Sequence, residues 1–76
     1  MIDRSNRLVK ISLEDAMGLR CVDICMTQEG HVLWDEWRRD PEDPSGWHPT
    51  GRNDGPYKDE AEAIAAAKSA IDWLSD

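Results

Sequence analysis

Leu19–Arg39 reads L-R-C-V-D-I-C-M-T-Q-E-G-H-V-L-W-D-E-W-R-R, and this stretch decides the fold. Side chains of a strand alternate between two faces. From Leu19 to Thr27, Val22, Ile24 and Met26 fall on one face together with Arg20. Leu19, Cys21, Asp23 and Cys25 fall on the other. Gln28, Glu29 and Gly30 then carry turn chemistry. The alternation resumes at Val32, with Trp34 and Glu36 on its face and Leu33, Asp35 and Trp37 opposite, up to Arg39. Two apolar-rich strands joined by a short Gly-containing turn predict an antiparallel hairpin. Both faces are partly apolar, so neither is expected to be fully solvated.

Upstream, Leu8–Leu13 alternates as well, with Val9, Ile11 and Leu13 expected on one side. Glu14–Gly18 (E-D-A-M-G) breaks the pattern as a turn, so a third strand precedes the hairpin. Downstream, Asp40–Pro56 holds all four prolines and three of the five glycines. The stretch 40–57 therefore reads as a long loop, of the kind that is usually functional or disordered. Trp47 and His48 in its middle argue against simple disorder.

Asp59–Leu74 reads as a helix. Asp59 is a capping residue, and Glu62 three positions on completes a capping-box-like pair. Glu60 and Glu62 suit the positive end of the helix dipole. The alanine-rich run that follows is made of the best helix former. Ala61, Ile64, Ala67, Ile71 and Leu74 fall on one stripe. The predicted architecture is a single α+β domain over 1–76. Its sheet is a three-stranded antiparallel β-meander (8–39), followed by the loop and by one C-terminal helix (59–74) packed on one face.

The chain carries 16 acids against 9 bases, a net charge of −7 on 76 residues. The excess is local. Residues 29–43 hold six acids against two bases, and residues 59–76 hold five against one. Such a surface suits a basic protein partner and disfavours direct contact with nucleic acid or an anionic membrane. The N-terminus, M-I-D-R-S-N-R, has no apolar run of signal-peptide length. No stretch approaches the ~20 apolar residues of a membrane span. The expected setting is cytoplasmic, with reduced thiols.

Catalytic and metal motifs are not legible, and no cofactor is expected. Cys21 and Cys25 share a strand face with α-carbons roughly 13 Å apart, too far for a disulfide. With His31 and His48 they give C-x3-C-x5-H-x16-H, which matches no zinc pattern. Gly46, Gly51 and Gly55 do not build a phosphate loop. The candidate site is instead a partner-binding surface: Asp35, Glu36, Asp40, Glu42 and Asp43, with Glu60 and Glu62 on the helix and Trp37 and Trp47 as aromatic anchors. The competing reading of the acids is solubility. The competing reading of the aromatics is that the long loop folds back and Trp47 covers the face carrying Trp37. Trp73 reads as packing.

The layout of three strands and an E-A-rich helix resembles small DNA-binding domains of the integrase-arm or AP2 type, which read DNA with a basic sheet. Here acids match Lys10, Arg20, Arg38 and Arg39, so the sheet would repel phosphates. In size and charge the chain is similar to small acidic phage inhibitors such as anti-CRISPR proteins. That resemblance implies a non-enzymatic module presenting carboxylates where nucleic-acid phosphates would sit on a nucleic-acid-binding protein. The alternative is a small bacterial domain that self-associates, as a homodimer, into a structural or accessory subunit.

Overall fold

The computed structural model describes residues 7–74. The charged N-terminal stretch before Arg7 and the final acid, Asp76, lie outside the described residues. The elements are β1 (Arg7–Glu14), β2 (Arg20–Thr27), β3 (Val32–Arg38), β4 (His48–Tyr57) and α1 (Glu60–Ala70), with a 3-10 turn at Asp72–Leu74. The four strands form one antiparallel sheet in the order β1-β2-β3-β4. Among the described residues, no helix is long and apolar enough to cross a membrane.

The expected α+β plan with a C-terminal helix is present, but the sheet has four strands, not three. β4 lies inside the segment read as loop. Its sequence, H-P-T-G-R-N-D-G-P-Y, has no apolar alternation and two prolines. Proline lacks an N–H and is tolerated in a sheet only at an edge or bulge. β4 satisfies both conditions. It takes nine steps from His48 to Tyr57 against six on β3 from Arg38 to Val32, with irregularities at Val32/Trp34 and Asp35/Trp37. Gly55 is required in the first of these. A Cβ there would sit 2.6 Å from Leu33 Cβ, and its φ is +148°.

A second correction concerns β1. Ile11 and Leu13 pair with Ile24 and Val22, but Val9 pairs with Cys25, across a register shift between Val9 and Ile11. Directly opposed residues share a face, so this bulge turns Val9 away from Ile11 and Leu13. Lys10 is the extra residue.

The core lies between one sheet face and the helix. Val22, Ile24, Val32 and Trp34 meet Ala63, Ala67 and Ile71, with Ile11, Met26, Tyr57, Ile64, Trp73 and Leu74 around them. The small alanines let the helix backbone approach the Trp34 ring. The helix is shorter than expected, and its stripe runs through Ala63, Ala67 and Ile71, while Ala61 is exposed. The Asp59 carboxylate accepts the Glu62 N–H at 2.9 Å, as a cap should. Glu62 Oε1 accepts the N–H of Lys58, at 3.2 Å. At the other end Ile71 leaves helical geometry (φ −110°, ψ 111°) and becomes fully buried. The gain from burying an isoleucine, about 2 kcal/mol, outweighs one more helical step. The Arg52 guanidinium donates to the Ala70 carbonyl and satisfies the helix end.

Candidate functional site

The connection from β3 to β4 contains D-P-E-D-P-S, residues 40–45. Each aspartate precedes a proline and accepts the N–H two residues on. Asp40 Oδ1 takes Glu42 N at 2.9 Å, and Asp43 Oδ1 takes Ser45 N at 2.9 Å. These are Asx turns, which fix a backbone without burying it. Asp43 N also donates to the Asp40 carbonyl at 3.0 Å. Ser45 Oγ donates to Asp43 Oδ1 at 2.6 Å and lies 2.8 Å from His48 Nε2, itself 3.5 Å from Asp43 Oδ2. The Ser45 hydroxyl and amide hold the Asp43 carboxyl below its ordinary value, with His48 adding to the effect. The result is an ordered, exposed acidic loop carrying Asp40, Glu42 and Asp43.

Trp47 is half-buried beside this loop. The Arg39 guanidinium stands 4.7 Å from the Trp47 ring centroid, and its Nε donates to the Gly18 carbonyl at 2.8 Å. One arginine thus ties the β3–β4 connection to the β1–β2 turn through a cation–π contact and a hydrogen bond. Asp15 closes the same turn by accepting Leu19 N and Arg20 N at 2.9 and 3.2 Å. Desolvation pushes the Asp15 carboxyl up, but these amides, with Gly18 N and the Arg20 charge, hold it below its ordinary value.

The remaining predicted positions separate. Glu36 is 5% exposed and lies on the core face. Its Oε2 accepts Trp73 Nε1 at 2.7 Å, its Oε1 accepts Thr50 Oγ1 at 2.9 Å, and Arg52 Nε is 3.9 Å away. Trp37, also 5% exposed, lies opposite Cys21 and Pro49 on the other face. Neither is presented to a partner. Asp35 is half-buried and borders a groove of about 230 Å³ with Leu33, His31 and Asp54. Glu60 and Glu62 sit in the first helical turn. The helix starts beyond Tyr57, which pairs with Val32, whereas the acidic loop starts beyond Arg38. Six strand steps separate these ends, so the two acidic patches are about 20 Å apart at opposite ends of the sheet.

Two clusters bear on catalysis. Ser12 Oγ donates to Asp23 Oδ1 at 2.7 Å and is 3.1 Å from Cys21 Sγ, which donates to the same oxygen at 3.2 Å. Desolvation, together with the Asp23 charge, pushes the Cys21 thiol up to about 11 against the opposing Ser12 bond. Such a thiol is protonated at neutral pH and a poor nucleophile. In the Asp43–Ser45–His48 group both contacts reach one ring nitrogen, Nε2. A triad needs the carboxylate on the nitrogen opposite the hydroxyl. This group therefore orders a loop. Among the described residues no three His, Cys, Asp or Glu side chains converge to hold a metal.

Sequence reasoning missed the Arg39–Trp47 contact and the scaffold role of Glu36. The Asx turns had a visible signal, the repeated Asp-Pro. Glu36 had one in its phase, because it alternates with Val32 and Trp34. Comparison with protein-family models, with curated proteins and with solved structures returns no match for this chain.

Proposed function

We propose that this chain is a non-enzymatic acidic binding module that docks on a basic protein surface through the loop Asp40–Asp43, with Trp47 at its flank. The observation that carries the reading is the order of that loop. Two exposed carboxylates, Asp40 and Asp43, accept backbone N–H bonds that fix the loop from which Glu42 also projects, instead of being spread over a flexible tail. Preorganised charge loses little entropy on docking and gives specificity as well as steering. Glu60 and Glu62, about 20 Å away, form a second contact for a partner large enough to span both ends of the sheet. In its sharpest form the module is an inhibitor of a nucleic-acid-binding protein, its carboxylates standing where phosphates would lie.

The test uses two baits, the wild-type chain and Asp40→Asn/Glu42→Gln/Asp43→Asn, in parallel affinity capture at low and high salt. The proposal expects a basic protein held by the wild type, released by salt and lost with the variant. Purified, that protein should lose nucleic-acid binding when the wild-type chain is added. Equal capture by both baits, or none by either, would overturn the reading.

A further inference from the structure

The two edges of the sheet are unlike. β4 resists pairing: Pro49 and Pro56 lack an N–H, and Gly51 and Gly55 carry positive φ. β1 pairs regularly with β2 from Ile11 to Glu14, with Lys10 at its bulge, and among the described residues nothing pairs with its outer edge. We infer that β1 is a self-pairing edge, through which a second copy of this chain adds to the sheet antiparallel about a two-fold axis at Ser12.

The segment Lys10-Ile11-Ser12-Leu13-Glu14 is complementary to its own reverse. Centred on Ser12, antiparallel pairing sets Lys10 opposite Glu14 of the second copy, and Ile11 opposite Leu13, each twice. Opposite charges and apolar pairs facing across strands are the stabilising unit of a sheet. The faces also agree. Ile11 and Leu13 both lie on the helix side of the sheet, and an axis perpendicular to the sheet keeps both helix sides together. Lysine on an edge strand ordinarily discourages pairing, but here the same strand supplies the counter-charge.

A second complementarity lies at the two ends of this edge. Leu8 pairs with Met26 on the helix side and is 60% exposed. At the other end, a groove of about 380 Å³ is lined by Leu13, Ala16, Lys68, Trp73 and Leu74 among others. The same register, with the one-residue bulge, brings Leu8 of the second copy level with Asp15 and Ala16, beside that groove. The product is an eight-stranded continuous sheet with both helices on one side.

The experiment is sedimentation equilibrium over a wide concentration range, on the wild type, Lys10→Glu, Glu14→Lys, the double swap, and an equimolar mixture of the two single variants. Both positions are exposed, so folding is checked by circular dichroism and expected to hold. The wild type should dimerise. Each single variant turns two attractive pairs into two repulsive ones and should weaken the dimer about tenfold. The double swap and the mixture should both restore it. A wild type that stays monomeric throughout, or single variants that dimerise as well as wild type, would overturn the inference. Neither result decides the docking reading, whose carboxylates, Asp40, Glu42 and Asp43, are not part of the pairing segment Lys10–Glu14.

Discussion

Glu36 is where the structure makes its strongest energetic demand. Replacing it with alanine removes the acceptor of Trp73 Nε1 and of Thr50 Oγ1, and strands Arg52 near a site it partly neutralised. A hydrogen bond to a charged group contributes about 1.5–3 kcal/mol, and a donor left without its acceptor costs about 1–3 kcal/mol. The Arg52 pair is long and half open to solvent, so it adds little. Together these give a loss of about 3–5 kcal/mol for Glu36→Ala. A domain of this length has roughly 4–11 kcal/mol in total, so the variant sits close to unfolding. Glu36→Gln keeps one carbonyl oxygen for the indole and offers an amide to the Thr50 hydroxyl, so its cost is about 1–2 kcal/mol. Urea denaturation followed by tryptophan fluorescence reads both. A cycle with Trp73→Phe isolates the indole bond. A Glu36→Ala unfolding free energy within about 1 kcal/mol of wild type would refute the reasoning. So would a cycle showing no coupling between Glu36 and Trp73. Because Glu36 is buried scaffold, Glu36→Gln should also leave partner binding unchanged.

Gly55→Ala should destabilise by about 2–3 kcal/mol, since its Cβ meets Leu33 Cβ at 2.6 Å and its φ is +148°. Gly30→Ala, with positive φ but open space around it, should cost only about 1 kcal/mol, and equal midpoints for the two would show that β4 does not approach Leu33. Asp59→Ala should lose about 1 kcal/mol with the cap on Glu62 N, read as an earlier thermal midpoint; an unchanged midpoint would remove the cap from the account. The Cys21 thiol, raised in the folded state from 9.0 to about 11, stabilises the fold below its unfolded value, and this contribution is lost as pH rises from about 9 through 11. The loss is at most about 2–3 kcal/mol, and Cys21→Ala should flatten that part of the stability profile. Native protein at pH 8 should also resist thiol labelling until denatured, and rapid labelling of the native chain would contradict the burial.

The hairpin was legible because Val22, Ile24, Val32 and Trp34 alternate without interruption, whereas the face the helix covers was not, because both faces carry apolar residues. The helix cap was legible because Asp59 and Glu62 have the spacing of a known motif. β4 was not, for a physical reason. An edge strand that bulges twice has no need of apolar alternation, and its glycines and prolines serve the irregular register that a loop reading takes for disorder. The inversion of Val9 was hidden too, since a bulge changes the face of a residue without changing the sequence pattern around it. Glu36 was read as part of an acidic cluster because Asp35, Asp40 and Asp43 lie near it in sequence. Its donors come from Thr50 and Trp73 and its counter-charge from Arg52, and only tertiary structure brings those to one carboxylate.

The net charge therefore overstates the charge that the acidic loop presents. Glu36 is internal, Asp15 closes a turn, and Asp59 with Glu62 caps the helix. Asp40 and Asp43 serve twice, as exposed charges and as the acceptors that shape their own loop. Charge and shape can be separated there, because asparagine retains the acceptor oxygen of an Asx turn and discards the charge. If electrostatic complementarity drives docking, Asp40→Asn/Asp43→Asn should abolish salt-sensitive binding as fully as Asp40→Ala/Asp43→Ala. If the asparagine pair binds normally and the alanine pair does not, the loop's shape and not its charge is what a partner reads, and the proposal of charge-driven docking on a basic surface falls.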